Sequence, residues 1–475
     1  MSSSNETVVD GVHRLGPTGI SILIVGAGVG GMMTALESWR QGHDVRILER
    51  NPKLDTIGDC FSILPPAWTT LRFFPKMKEQ FERESYDIEW SFWRYEGRRI
   101  IHLGEAEWNR PGALHQAKDV RVPWIETRSS VADMLARQCE RLGIRIEYGN
   151  TAVAYGEDER EGVVTVARPD GSISKETADI VVAADGVATT SHEHVTGRKV
   201  RAESSGYALY RGLIPMDILK AKLAPATQEK FFSFPRGEFR IYMAPNRHAN
   251  IIITRDFVCY VITYKEDGKS KESWKSTVSA DDVLKRLDET PGWDPELVDI
   301  LRLIPEGSCI DWTLLWRDPQ PQWASAGGRV VQLGDSAHSF LPTSGNGASQ
   351  ALEDALSLAV CLRLAGKGRE QVATKVHNAL RFERVSVIQK FGFANRRLMH
   401  HVDLDAAEKQ PELIALTMPE WIWSHDPARY AIDNYAAAEA HVTKGERFQN
   451  TNGPPGLAYE PWDIASEMAK EPLLG

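Results

Sequence analysis

Short, strongly apolar runs closed by small residues recur along the chain and set its first organising pattern. Ile22–Val25 leads into Gly26-Ala27-Gly28-Val29-Gly30-Gly31, "ADIVVAADG" (178–186) ends in Asp185-Gly186, and the run Arg329–Leu333 ends in Gly334-Asp335. Such runs predict strands buried on both faces, as in a parallel sheet. After the first run, Met32, Ala35, Leu36 and Trp39 recur at i, i+3, i+4 and i+7, the apolar face of a helix. Gly42 sits where a helix stop belongs, and Val45–Leu48 predicts a second buried strand ending in Glu49. Residues 123–143 predict an amphipathic helix with Val131, Leu135 and Cys139 on one side and Arg128 near its start.

Between Ala202 and Ala326 the pattern changes to alternation. "YALYRGLIP" (207–215), "KFFSFP" (230–235), "FRIYMAP" (239–245), "ANIIITRD" (249–256) and "VCYVITYKED" (258–267) predict a mostly antiparallel sheet. Residues 279–293 predict a helix with an Asp-rich first turn, and 381–400 a charged helix that packs back on the first half. A helix over 419–442 and an extended strap over 452–462 complete the chain. The expected fold is α/β: a Rossmann-like three-layer domain (19–201 and 326–400), an inserted sheet domain (202–325), a flexible N-terminal tail (1–18) and a C-terminal helix and strap (401–475).

Composition narrows the picture. The 475 residues are 42% hydrophobic and 25% charged, ordinary for a globular protein, and the net charge of −9 argues against a nucleic-acid surface. The 5 cysteines are scattered without a CxxC pair, which predicts reduced thiols and neither a disulfide frame nor a metal site. The N-terminus lacks a signal-peptide pattern, no run is long and apolar enough to span a membrane, and "EPLLG" is no targeting signal. The expectation is a cytoplasmic protein, monomer or homodimer.

The glycine-rich turn carries the first chemistry. Gly26, Gly28 and Gly31 fit GxGxxG between strand and helix: a tight turn, close approach of a pyrophosphate, and close helix–strand packing. Glu49 at the next strand end suits the two hydroxyls of an adenosine ribose, with Arg50 beside it. This motif alone does not separate NAD from FAD. The loop "GDSAHSFLPTSGNGASQALEDA" (334–355) adds a second anchor, because small residues feeding a helix expose amides at the positive end of its dipole. A flat ring with a nitrogen that becomes anionic suits that place. The alternative is that Asp335 only caps its loop.

In that order, GxGxxG, then DG, then GD with a proline–glycine loop, the sequence resembles the FAD-dependent aromatic hydroxylases. These are the single-component group A flavoprotein monooxygenases, and the likeness is to their salicylate-hydroxylase-like branch, from about residue 20 to 400. The resemblance implies that Asp335 binds the ribityl chain and Pro342 lies near the reacting edge of the isoalloxazine. It also implies that the backbone of Gly345, Asn346, Gly347 and Ala348 meets the flavin N1–C2=O edge, and that Asp185 and Gly186 belong to the flavin site. Arg128 would contact the FAD phosphates; a solvated arginine is the alternative. His338 is expected to brace its loop. The family's DGxxSxVR continuation is lost: Thr189 keeps a hydroxyl, His192 follows, and the arginine is absent.

For the substrate, alternation allows only one of Tyr210 and Arg211 to face the flavin. The resemblance favours Arg211, to orient a phenolate or carboxylate, against an arginine paired on the outer face. Tyr242 and His248 are further candidates for substrate hydrogen bonding or deprotonation. The implied cycle has NADH or NADPH reduce FAD, O2 add at the flavin C4a, and the hydroperoxide pass OH to an electron-rich aromatic ring. Indole or prenylated scaffolds, decarboxylating hydroxylation of a hydroxybenzoate, and a silent FAD- or NAD-binding regulator remain as alternatives. "WTLLW" (312–316) does not match the WxWxIP of flavin halogenases.

Overall fold

The computed structural model describes residues 6–55, 58–115, 117, 121–123, 125–266, 268, 276–414, 418–456 and 458–470. Residues 1–5 of the expected tail, Trp124, Asp267, Leu457 and 471–475 therefore lie outside the described residues.

Five parallel strands form the first sheet, in the order Val330–Gln332, Ile180–Ala183, Ser21–Val25, Asp44–Glu49, Arg145–Tyr148. The period-2 alternation of a strand splits its apolar residues between two layers. Ile22, Ile24 and Ile47 face helices Val29–Arg40, Arg128–Arg141 and Gly347–Ala365, whereas Leu23, Val25 and Leu48 face a three-stranded antiparallel sheet (Thr151–Glu157, Gly162–Ala167, Ile173–Ala178). The three layers are thus helix, parallel sheet and small antiparallel sheet.

The second sheet has eight strands. Thr277–Val278, Cys309–Trp316, Glu203–Pro215, Phe257–Lys265, Arg247–Ile253 and Glu238–Ala244 come from the expected span, and Glu89–Arg94 and Arg99–Gly104 complete it. All pairings are antiparallel except Glu238–Ala244 with Glu89–Arg94, which is parallel. The two extra strands lie far upstream of Ala202, inside the segment assigned to the first domain. Only long-range pairing brings them here, and local alternation carries no record of that. On the far face of this sheet pack helices Ala280–Asp288, capped by a reciprocal Ser279–Asp282 box, and Pro295–Leu301.

Four local expectations change. "KFFSFP" is not a strand: Pro225–Phe232 is a helix with Pro225 in its first turn, where its missing N–H costs nothing, and Phe231 packs against the Arg240 guanidinium. Residues 7–14 are not a loose tail. Thr7–Val9 and Val12–Arg14 form a hairpin over Asp10-Gly11, both at positive φ, and Arg14 ties it to the carbonyl of His43 at 3.0 Å. The charged helix is longer than expected, Glu370–His401, and the C-terminal segment splits into Glu420–Trp423 and Pro427–Lys444 with Asp426 capping the second. Buried Arg384 fastens this segment to the core: it pairs with Glu353 at 3.0 Å and donates to the carbonyls of Trp421, Ile422 and Asn452.

Candidate functional site

The carboxyl ends of the parallel strands and the near face of the eight-stranded sheet enclose one cavity of about 470 Å³. On the first side, the glycines divide by geometry. A Cβ at Gly26, whose φ is +108°, would stand 2.3 Å from the carbonyl oxygen of Ala184, and one at Gly31 would stand 2.0 Å from that of Gly26. Both are packing positions. Gly28 lines the cavity and a Cβ there would meet nothing within 4 Å, so the bare backbone faces open space.

Helix Val29–Arg40 begins at Gly28 and helix Gly347–Ala365 at Asn346, and neither has a side-chain cap at its N-terminus. Gly345, at φ +61°, turns the chain so that Asn346, Gly347 and Ala348 line the cavity beside Pro342. Two helix N-termini therefore present unused amides to one space, an arrangement that favours anionic groups by about 0.3–1 kcal/mol each and more when buried. Arg128, the first residue of its helix, also lines the cavity; its N–H donates to the carbonyl of Asp59 at 2.8 Å. Burial and then the neighbouring Arg211 lower its pKa, against the opposing pull of the Asp55, Asp59 and Asp335 carboxylates.

Asp335 opens onto the cavity, and burial raises its carboxyl pKa. Behind it, His338 Nε2 meets Asp354 at 2.6 Å, and Asp354 also accepts from Gly334 N and Arg381 Nε, so His338 braces the loop. Asp185 accepts from Tyr155 at 2.7 Å and Ser336 at 3.1 Å, locking the DG turn to the GD turn and leaving Gly186 on the cavity wall. His192 is buried against Arg317 at 2.9 Å, with its pKa lowered to about 4 by burial and then that guanidinium. Glu49 accepts from the amides of Ala27 and Asn51, both at 2.8 Å, and so fixes the glycine turn; Arg50 is exposed and away from the cavity.

On the sheet side, the register aligns Arg211, Val261, Asn250 and Ile241 in one row facing the cavity. Tyr210 takes the other face, its ring 4.6 Å from that of Tyr264. Arg211 grips Asp59 with both arms of its fork, Nε at 2.6 Å from Oδ2 and Nη2 on Oδ1. Burial alone would lower the Arg211 pKa; the Asp59 carboxylate raises it.

Besides Arg50, and Glu49 and Asp185 which stand behind the lining, two substrate-side candidates are not brought to the site. Tyr242 shares the parity of Tyr210 and points away, its hydroxyl donating to Asp294 at 3.2 Å and its ring 5.8 Å from Trp93. Its pKa is pushed far up by burial. His248 lies on the near-face parity but beyond the cavity wall, buried with Nδ1 2.9 Å from His400 Nε2. Strand parity decides the first case and position along the strand the second; only the register supplies the latter.

The FAD binding domain family matches residues 109–390. The FAD-dependent monooxygenase fsr3 of Gibberella fujikuroi is 40% identical over 457 residues, covering 95% of this chain and 87% of that protein. The chain belongs to the FAD-dependent monooxygenases. Two solved structures share its architecture at 27% identity: FqzB, with a TM-score of 0.81 over 95% of this chain and 100% of that one, and CtdE in complex with FAD and a substrate, 0.79 over 89% and 100%.

The cavity of this FAD-dependent monooxygenase fits the cofactor. The open cradle at Gly28, the uncapped helix N-termini, the Arg128 guanidinium on the cavity lining and the buried Asn346 Oδ1, without a hydrogen-bond partner among the described residues, are all features that suit a dinucleotide. Residues that sequence reasoning did not single out also line it: Trp90, Glu107, Trp108, Asn250, Asn395 and Met399. Of these only Asn250 left a trace, one polar residue in the apolar run "ANIII". Met418, from beyond the family match, closes the wall beside Gly345 and Asn346. Among the described residues, no His/Cys/Asp/Glu group could hold a metal and no helix is long and apolar enough to cross a membrane.

Proposed function

We propose that this FAD-dependent monooxygenase inserts one oxygen atom of O2 into an electron-rich aromatic ring, with NADPH or NADH as electron donor. One observation carries the reading: a single cavity has backbone amides and glycines on one wall and, on the other, apolar side chains (Trp90, Trp108, Phe239, Ile241, Ile252) around the polar points Arg211 and Asn250. A pocket of that kind suits a flat ring held by a few hydrogen bonds.

FAD, when bound, supplies the electron transfer and oxygen activation. The protein's part is positional. Asp335 would accept from hydroxyls of the cofactor's sugar-alcohol chain, Arg128 would hold its phosphates, and the amides of Gly347 and Ala348 would favour negative charge on the ring system. Pro342 shapes the wall next to the reacting edge. Arg211 orients the ring's oxygen substituent, and the apolar wall keeps water from the reacting atoms.

Two measurements test this. The purified protein should show flavin absorbance, and electron-rich phenols should stimulate NAD(P)H oxidation with label from isotopic O2 appearing in the product. Asp335→Ala should strip FAD or sharply slow its reduction. Full flavin occupancy with normal turnover in that variant, or NAD(P)H oxidation indifferent to every aromatic offered, would contradict the reading.

A further inference from the structure

The charged side chains that line the cavity, among the described residues, are Arg128 and Asp335 on the cofactor side and Arg211 and Glu107 on the sheet side. Arg211 is already matched. Its fork is taken up in parallel by Asp59, which is 1% exposed and has its own carbonyl anchored on Arg128 N. A bidentate guanidinium–carboxylate pair of this kind satisfies both charges internally. Glu107, on the turn Glu107–Asn109, adds a further carboxylate to the cavity lining. An aryl carboxylate entering at this wall finds the Arg211 charge already taken up and the Asp59 carboxylate behind it, at a place where low dielectric makes like charges costly.

The remaining polar point has the opposite preference. Asn250 sits in register with Val261 and two strands from Arg211, its Oδ1 buried and without a hydrogen-bond partner among the described residues. A buried acceptor left unmet calls for a donor from the ligand, since an unpaired buried oxygen costs about 1–3 kcal/mol.

We propose that Asp59 is a specificity-determining residue: by neutralising Arg211 it makes the sheet wall a hydrogen-bonding surface for an uncharged aromatic scaffold bearing O–H or N–H, and excludes aryl carboxylates. This rests on the aromatic-substrate reading above and deepens it, because it separates neutral phenols and lactams from salicylate-like acids. Asp59 acts through Arg211 and is a positioning residue. It holds the guanidinium in one place and cancels its charge.

The test uses the FAD-loaded enzyme and a matched pair of probes, 1-naphthol and 1-hydroxy-2-naphthoate. Binding is read from perturbation of flavin fluorescence and, separately, from stimulated NAD(P)H oxidation. The wild type should bind the neutral naphthol at least about tenfold more tightly than the acid, the worth of one charge-assisted contact. Asp59→Asn should close or invert that ratio by strengthening the acid while flavin content holds. Asp59→Glu should retain the wild-type ratio. Glu107→Gln, at the other carboxylate on the cavity lining that is not on the cofactor side, should narrow it by a smaller factor and covers the case in which Asp59→Asn fails to fold. A wild type that prefers the acid, or a ratio unmoved in both Asp59→Asn and Glu107→Gln, overturns the proposal while leaving the aromatic reading intact. Neither probe perturbing flavin or NAD(P)H oxidation in any variant overturns both.

Discussion

The cofactor wall and the substrate wall of the cavity differ in what they are made of. The first is backbone: glycines at Gly26, Gly28 and Gly345, uncapped helix starts, and loops cross-tied by Ser336, Tyr155 and Asp354. The second is side chain: a row of Arg211, Val261, Asn250 and Ile241 on a sheet whose hydrogen bonds do not depend on which side chains stand there. On the backbone wall a single methyl group meets main-chain atoms at Gly26 and Gly31, and at Gly28 it would project into the open cavity. A side-chain wall can be rewritten while the fold stays. The enzyme thereby keeps its cofactor chemistry fixed and leaves its substrate open to change.

The contrast breaks first at the glycines. Gly31→Ala would place a methyl 2.0 Å from a backbone oxygen with no flexible side chain to yield, so we expect a loss of more than about 3 kcal/mol and little folded, flavin-bearing protein. Gly28→Ala should melt near the wild-type temperature yet lose FAD affinity; normal flavin content there would deny the wall its role. Thermal unfolding and flavin absorbance of the two variants give the answer.

Next comes the scaffold behind the backbone wall. Arg384→Met removes the cation between Glu353 and the carbonyls of Trp421, Ile422 and Asn452, leaving a buried carboxylate partly uncompensated. A cost of about 3–5 kcal/mol is expected, seen as a lower melting temperature and earlier proteolysis within 419–462. An unchanged melting temperature would mean that the C-terminal segment is an ornament on the core.

On the side-chain wall, Arg211→Ala should lower the melting temperature by leaving the buried Asp59 carboxylate unmatched, yet keep FAD in the folded fraction and cut hydroxylated product per bound flavin about a hundredfold, the usual scale for losing one positioned donor. Unchanged product formation removes Arg211 from the site.

The smallest effect tests the seam between sheet and long helix. His248 and His400 are held neutral: burial takes His248 down to about 3 and His400 well below its ordinary value, with the Arg396 charge adding to each. Bases depressed in the folded state are protonated first in the unfolded chain, so stability is full above about pH 6.5 and falls as the pH drops below it. Each imidazole contributes a slope of up to about 1.4 kcal/mol per pH unit. Melting temperatures from pH 7 to 5 should fall, and His248→Gln should flatten the decline; an equal slope in both would contradict the assignment.

How much of this was legible follows from the same division. The GxGxxG turn, Glu49 and the GD–proline–glycine loop are local signals, because the backbone they shape lies within a few residues of them. The parity of Arg211 against Tyr210 could be posed but not resolved, since alternation names two faces and no destination. Tyr242 was misplaced for that reason. Asp59 left no trace at all: it reaches Arg211 across 152 residues, through a pairing that only the assembled fold creates. The same holds for strand Glu89–Arg94, whose partner Glu238–Ala244 lies more than a hundred residues downstream, and which carries its neighbour Arg99–Gly104 into the sheet with it.

The most direct measurement is a crystal structure of the FAD-loaded enzyme soaked with 1-naphthol. The account predicts the isoalloxazine against Pro342–Ala348 and the naphthol between it and the Arg211–Asn250 row, its hydroxyl within hydrogen-bond reach of Asn250 or Arg211. A flavin ring resting elsewhere, or a ligand seated outside that row, would contradict it.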